Sequence, residues 1–286
     1  MSSRIKLPKK LRAFEEASTS SPSYGQLKAG IYDVLEIKNN FPSEETDYVQ
    51  LRDQVYGNVW ICKRWQEHVY ALLLPDVIKF SGTDAIDEAV LLQNLEHYNG
   101  SVYSLNDPHY PFQLRGVTLP QAPPSQNNCC TFVEGIVVKS FQDVFQSLNW
   151  DMQQHNQMMI IGTTDIYAPV TEVVEAGLAV ELDQDLPQPW TIMQVWNDRK
   201  NRGHTLLIVD HDPLTDRVLT LESNKFFGLN GVGFRGLGNA DGYQNEVPEG
   251  WNTNPSVPTW NAMKNRYPNR KMAALKVKNL NWVNRS

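Results

Sequence analysis

Two adjacent thiols, Cys129 and Cys130, follow Asn128 and open the stretch CCTFVEGIVVKSFQDVFQSL. Apolar residues recur there at Phe132, Val133, Ile136, Val137, Phe141, Val144, Phe145 and Leu148, which is a helical period. The thiols therefore belong to the first turn of a helix. A helix N-terminus carries partial positive charge and free N–H groups, which favour thiolate over thiol and can hold an oxyanion. A thiolate nucleophile needs a proton acceptor, and the acceptor needs an orienting partner. Further on, the chain reads RGHTLLIVDHDPLTDRVLTLESN, which is a strand, a turn and a second strand. His204 starts the first strand, while Glu222 and Asn224 end the second. Those two ends are neighbours in an antiparallel hairpin. A spacing of two puts Glu222 and Asn224 on one strand face, so either can reach the imidazole.

The elements around this set are less regular. Thr83 and Asp84 offer N-caps for a helix carrying Ile86, Val90, Leu91 and Leu95 up to Gly100. The segment SLNDPHYPFQLRGVTLPQAPPSQNN then forbids regular helix through its Pro and Asn content. Long loops inside compact regions are often functional, and this one carries His109 up to the thiols. After the hairpin comes the Gly-rich run NKFFGLNGVGFRGLGNADGY. It has neither the Lys-Ser/Thr ending nor the following helix of a phosphate loop. Cys62 lies among strand residues and is expected in a core, whereas His155 and His211 are expected at the surface.

Cys-x-x-Phe-Val at 129–133, Gly-His at 203–204 before an apolar strand, and Glu-x-Asn at 222–224 together resemble the NlpC/P60 superfamily, and within it the CHAP amidases. The resemblance covers roughly residues 125–225 and implies an α+β, papain-like domain. It implies hydrolysis of peptide or amide bonds, most often in bacterial peptidoglycan, with no metal and no cofactor. Carried over, Cys129 matches the nucleophile, because Phe and Val follow it by three and four residues. His204 matches the general base, and Glu222 and Asn224 the orienting positions. Relatives place a Gln immediately before the nucleophile or a Tyr upstream as oxyanion partner. This chain has Asn128 at the first place, leaving Gln126 and Tyr110 as candidates. His109, Phe226 and Phe227 are expected along the substrate cleft. An intracellular hydrolase or acyltransferase on another amide or thioester, and a binding protein without turnover, are the competing readings.

Upstream, GIYDVLEI, DYVQL, NVWICKRW and EHVYALLL read as short strands. Their rhythm and the aromatics Tyr32, Tyr48, Trp60 and Trp65 are similar to bacterial SH3-like modules, which implies a small β-barrel whose aromatics form either core or a glycan or peptide groove. The expected organisation is a flexible arm over 1–24, an SH3-like β-barrel over 25–80 and the hydrolase domain over 81–286. The arm is expected from its basic residues and its STSSPS run.

The 286 residues are 41% apolar and 20% charged, enough for packed cores and against wholesale disorder. A net charge of −6 gives no global reason to bind nucleic acid. Three cysteines cannot frame a disulfide scaffold, and without a C-x-x-C pair the histidines lack zinc spacing. No run approaches the ~18–20 apolar residues of a membrane span. The start, MSSRIKLPKKLRAFEEAS, lacks the apolar region of a classical signal peptide. The chain is thus expected to be cytoplasmic as made, and would reach a wall by lysis or by injection.

Overall fold

The computed structural model describes residues 4–7, 9–28, 30–41, 43–66, 68–69, 72–74, 78–106, 109–114, 125–147, 150–182, 186–212, 216–225, 229–236, 251, 253–254 and 259–281. The chain divides into two units, Met1–Val77 and Ile78–Arg285, with mixed α+β content.

The first unit is an antiparallel sheet. Its strands are β1 (Arg4–Leu7), β2 (Leu11–Phe14), β3 (Ser23–Leu27), β4 (Gly30–Lys38), β5 (Thr46–Asp53), β6 (Gly57–Trp65), β7 (His68–Val69) and β8 (Leu72–Leu74). They pair in the order β3-β2-β6-β5-β4-β1-β8, with β7 on β6. Alternation explains the pairing. Ile5, Leu7, Ala13, Leu27, Val49, Leu51, Val59 and Ile61 share one buried cluster, as residues two apart along a strand must. The expected flexible arm is thus corrected: residues 4–27 hold three paired strands. Ile5 and Leu7 alternate with Arg4 and Lys6, and Ala13 follows Arg12, so the short apolar period is easily overlooked. The serine run builds the β2–β3 connection, with the Glu16 N–H donating to Ser21 Oγ at 3.0 Å and the Glu15 N–H to Pro22 O at 3.0 Å. Of the four aromatics, Tyr48 and Trp60 are buried and Trp65 is exposed. Tyr32 is half-buried and donates its hydroxyl to Lys28 O. Cys62 is half-buried against the Phe14, Ala17, Tyr48 and Trp60 cluster.

In the second unit β9 (Ile86–Asp87) leads into α1 (Glu88–Glu96), followed by β10 (Val102–Tyr103), β11 (Gln126–Asn127) and α2 (Cys129–Ser140). Then come α3 (Gln142–Ser147), α4 (Met152–Met158), α5 (Ala168–Glu175) and β12 (Ala179–Glu181). The remaining elements are β13 (Thr191–Trp196), β14 (Gly203–Asp212), β15 (Arg217–Asn224), β16 (Gly231–Arg235), β17 (Thr253–Asn254), α6 (Trp260–Arg266), β18 (Asn269–Leu275) and β19 (Val277–Lys278). A seven-stranded sheet runs β12-β18-β13-β14-β15-β16-β17, antiparallel except for the last pair.

Both faces of its centre are covered. Leu207 and Val209 of β14 join the core with α2, whereas Leu206 and Ile208 face a second cluster with Trp260 and Met263 of α6. A strand buried on both faces reads as a continuous apolar run, as LLIV does. The helix expected from Thr83 or Asp84 begins later, capped by the Asp87 side chain on the Ala89 N–H. Residues 86–87 are held extended by pairing with Val277–Lys278, and Asp84 is bonded to Lys276. Among the described residues no helix is long and apolar enough to cross a membrane.

Two histidines expected at the surface are inside. His155 is buried and bonds through Nδ1 to Glu134 Oε1. The His211 side chain is buried beside Trp260, 3.7 Å from Asp216. Gly135 of α2 is required by close packing: a Cβ there would lie 2.0 Å from the Tyr98 hydroxyl.

Candidate active site

Cys129 is the first residue of α2, and the sequence around it fixes that start. Asn128 Oδ1 accepts from the Thr131 N–H at 3.0 Å while Thr131 Oγ1 accepts from the Asn128 N–H at 2.8 Å, a reciprocal capping box. No acidic residue occupies the first turn, so nothing there opposes a negative sulfur. The entry to the helix is tied to the hairpin. Ser223, between Glu222 and Asn224, donates its hydroxyl to Asn127 O at 3.2 Å.

His204 begins just inside β14, after Gly203. A side chain at Gly203 would meet the Trp196 ring at 2.9 Å, so glycine lets the indole pack against this strand start. Cys129 and His204 are near enough for each side chain to shift the protonation of the other. The other side of the ring is held by Glu222, whose Oε2 lies 2.6 Å from His204 Nε2. With Nε2 engaged, Nδ1 is the nitrogen left for the sulfur. Asn224 does not take the ring contact: its Nδ2 donates to Glu222 Oε2 at 2.9 Å. Thr220 donates to Glu222 Oε1 at 3.1 Å, and Arg235 Nε lies 3.2 Å from the same oxygen. A buried carboxylate is stable only when its lone pairs are met in this way.

The electrostatics follow from these contacts. The Cys130 thiol, the His204 hydrogen bond and the His204 charge hold Cys129 well below the ordinary thiol range, against the opposing effect of burial. Burial pulls His204 down, but its bonds to Cys129 and Glu222 and their charges outweigh this and push it up to about 10. Burial would raise Glu222, yet His204, Arg235 and Asn224 bring it down to about 2. At neutral pH the set therefore rests as thiolate, imidazolium and carboxylate.

The other expected residues fare differently. Tyr110 is buried and donates its hydroxyl to Glu134 Oε2 at 2.6 Å. That bond commits it to the network under α2, and it is corrected as an oxyanion donor. Gln126 is exposed on β11, paired with Val102. His109 returns to β11 through its N–H on Gln126 O at 2.6 Å. Phe226 and Phe227 lie outside the described residues.

Three residues near the sulfur were not expected. Tyr103 pairs with Asn127 across β10–β11; burial raises its phenol, and the charges of Cys129 and Cys130 raise it further. Thr205 Oγ1 lies 3.0 Å from the Cys130 sulfur, and its backbone favours the Cys129 thiolate. Gln194 accepts the Thr205 hydroxyl. A two-residue strand has no period to betray Tyr103, and Gln194 belongs to a strand that the sequence signals only weakly. Thr205 was legible only as the residue following His204.

No family model matches the sequence, and no curated protein is found similar to it. Among solved structures, that of NlpC2 from Trichomonas vaginalis aligns over 91% of this chain and 71% of that one, at 10% identity and a TM-score of 0.26. A superposition that loose carries no assignment, and the geometry stands by itself.

Proposed function

We propose that this chain is a cysteine hydrolase of peptide or amide bonds, with Cys129 as nucleophile, His204 as base and acid, and Glu222 as orienting carboxylate. The observation that carries this reading is one arrangement: a sulfur at a helix N-terminus, beside an imidazole whose Nε2 meets a buried carboxylate at 2.6 Å. The three groups satisfy the requirements of nucleophile, base and orienter.

The steps follow from the resting charges. The Cys129 thiolate attacks the substrate carbonyl carbon, and its oxygen becomes an oxyanion. The N–H groups of the first α2 turn face that charge, with Tyr103 in place of Tyr110 as the added donor. The His204 imidazolium gives its proton to the leaving nitrogen as the C–N bond breaks, leaving a thioester. Neutral His204 then takes a proton from water, the hydroxide attacks the thioester carbon, and the C–S bond breaks to restore the thiolate. Glu222 stabilises the imidazolium throughout.

For substrate we propose bacterial peptidoglycan, on the motif resemblance at 129–133, 203–204 and 222–224. On this reading the second unit is papain-like. The first is an SH3-like accessory module, whose exposed Trp65 would meet glycan or peptide. The test is digestion of purified peptidoglycan, with fragments identified by mass spectrometry. Wild type and Cys62→Ser are expected to release the same fragments and Cys129→Ala none; the fragment masses identify the bond. Equal release by Cys129→Ala would contradict the nucleophile. Intact peptidoglycan beside a hyper-reactive Cys129 would transfer the chemistry to another amide or thioester.

A further inference from the structure

Cys129 starts α2 and His204 starts β14, so their spacing depends on how the two elements are docked. Glu222 holds the ring from β15, and the helix entry must be fixed to that same strand. Ser223, the residue after Glu222, makes the link. Neighbours along a strand point to opposite faces, so Ser223 turns away from Glu222. It shares the face of Leu221, which is buried in the core with α2. Its hydroxyl donates to Asn127 O at 3.2 Å, two residues before the nucleophile. A second rung lies beside the first. Val232 pairs with Ser223 across β15–β16 and donates its N–H to Ser101 Oγ at 3.3 Å. Gly231 lets the backbones close to contact there, since a Cβ would lie 1.7 Å from Ser101 O. Ser101, Asn127 and Ser223 are all buried, where water does not compete for these bonds.

The other partners of Asn127 show what Ser223 adds. The Asn127 carbonyl oxygen also accepts the Ser104 N–H at 2.9 Å, and its side chain donates to Ser125 Oγ at 3.0 Å. Both partners lie in the segment that leads into α2. Ser223 reaches Asn127 from the strand that carries the orienting carboxylate. We infer that Ser223 is a positioning residue: by holding Asn127 O, its hydroxyl sets the spacing between the Cys129 sulfur and the His204 ring. The inference rests on the reading of Cys129 and His204 as nucleophile and base. No covalent bond of Ser223 changes, and its effect is on distance alone. Attraction between sulfur and imidazolium falls as they separate, and a misplacement of ~1 Å can cost about a hundredfold in rate. Loss of the hydroxyl leaves Asn127 O paired with Ser104, so no buried acceptor goes unsatisfied and the fold is kept.

The test needs no substrate. Alkylation of Cys129 by iodoacetamide is followed across pH by peptide mass spectrometry in the full-length wild type, Ser223→Ala, His204→Ala and the double variant. Ser223→Ala is expected to raise the Cys129 midpoint by about half to one pH unit, roughly three- to tenfold less thiolate on the acid limb. Ser223→Thr keeps the donor in a strand, which suits β-branched residues, and should stay close to wild type. In the His204→Ala background no imidazole faces the sulfur, so Ser223→Ala should leave the midpoint unchanged. A hydroxyl that merely steadies the fold would shift both backgrounds alike or neither. Coincident wild-type and Ser223→Ala profiles, an equal shift in both backgrounds, or a Ser223→Thr profile that follows Ser223→Ala would overturn this inference alone. A Cys129 midpoint that ignores His204→Ala would overturn the nucleophile and base reading as well.

Discussion

At the scale of single residues, the proposed chemistry turns on Glu222. Three hydrogen bonds and the Arg235 ion pair converge on its two oxygens, and with Cys129 it keeps His204 protonated. Glu222→Gln is expected to lower kcat by about two to four orders of magnitude, by analogy with loss of an orienting carboxylate, with a smaller change in KM. Steady-state rates would check this. The coupling also writes itself into stability. Glu222 sits at about 2, below its ordinary 4.5, so its contribution is present above about 4.5 and lost as pH falls toward 2. His204 sits at about 10, above its ordinary 6.5, so its contribution is complete below 6.5 and lost as pH rises through 10. Cys129, held well below its ordinary 9.0, adds a contribution that is complete above 9 and shrinks as pH falls. Between about 6.5 and 9 this offsets the His204 loss, so urea midpoints should be highest there and fall below 6.5 and above 9, and His204→Ala should flatten the alkaline side. Sequence reasoning reached Cys129 and His204 but left Glu222 and Asn224 level. Both share a strand face, and only the reach of each side chain separates them.

At the scale of elements, α2 and the β14–β15 hairpin were legible because their periods are unbroken and their polar breaks sharp. The strands within residues 4–27 were hidden by basic residues and serines, whose composition outweighed an apolar alternation only a few residues long. The start of α1 was misplaced because a two-residue pairing with β19 holds Ile86 and Asp87 extended, a constraint imposed by residues far along the chain. The packing of α2 offers a sharp test. Gly135→Ala would place its Cβ 2.0 Å from the Tyr98 hydroxyl and 3.0 Å from the Tyr110 ring. Overpacking of this type costs about 1–3 kcal/mol. Tyr98 has no hydrogen-bond partner for its hydroxyl among the described residues, so Tyr98→Phe in the Gly135→Ala background should recover part of that loss. Chemical denaturation of the single and double variants would measure it, and purely additive losses would count against a clash at this contact.

At the scale of the whole molecule, Cys129, His204, Glu222, Asn224 and Arg235 all belong to the second unit. Its sheet is buried on both faces by its own helices. Residues 78–286 are therefore expected to unfold cooperatively alone and to keep a fast-reacting Cys129, as shown by denaturation and alkylation of that fragment. An aggregated or unreactive fragment would contradict this. Arg235, which steadies Glu222 from β16, carried no local signal; it is legible only once the sheet order is known. The central claim is that Cys129 and His204 rest as a thiolate–imidazolium pair. Its most direct measurement is an NMR titration of the His204 ring nitrogens in wild type and Cys129→Ala. The account predicts an imidazolium that persists through neutral pH and titrates near 10, with a lower midpoint once the sulfur is removed. A His204 that titrates at its ordinary value and ignores the loss of Cys129 would contradict it.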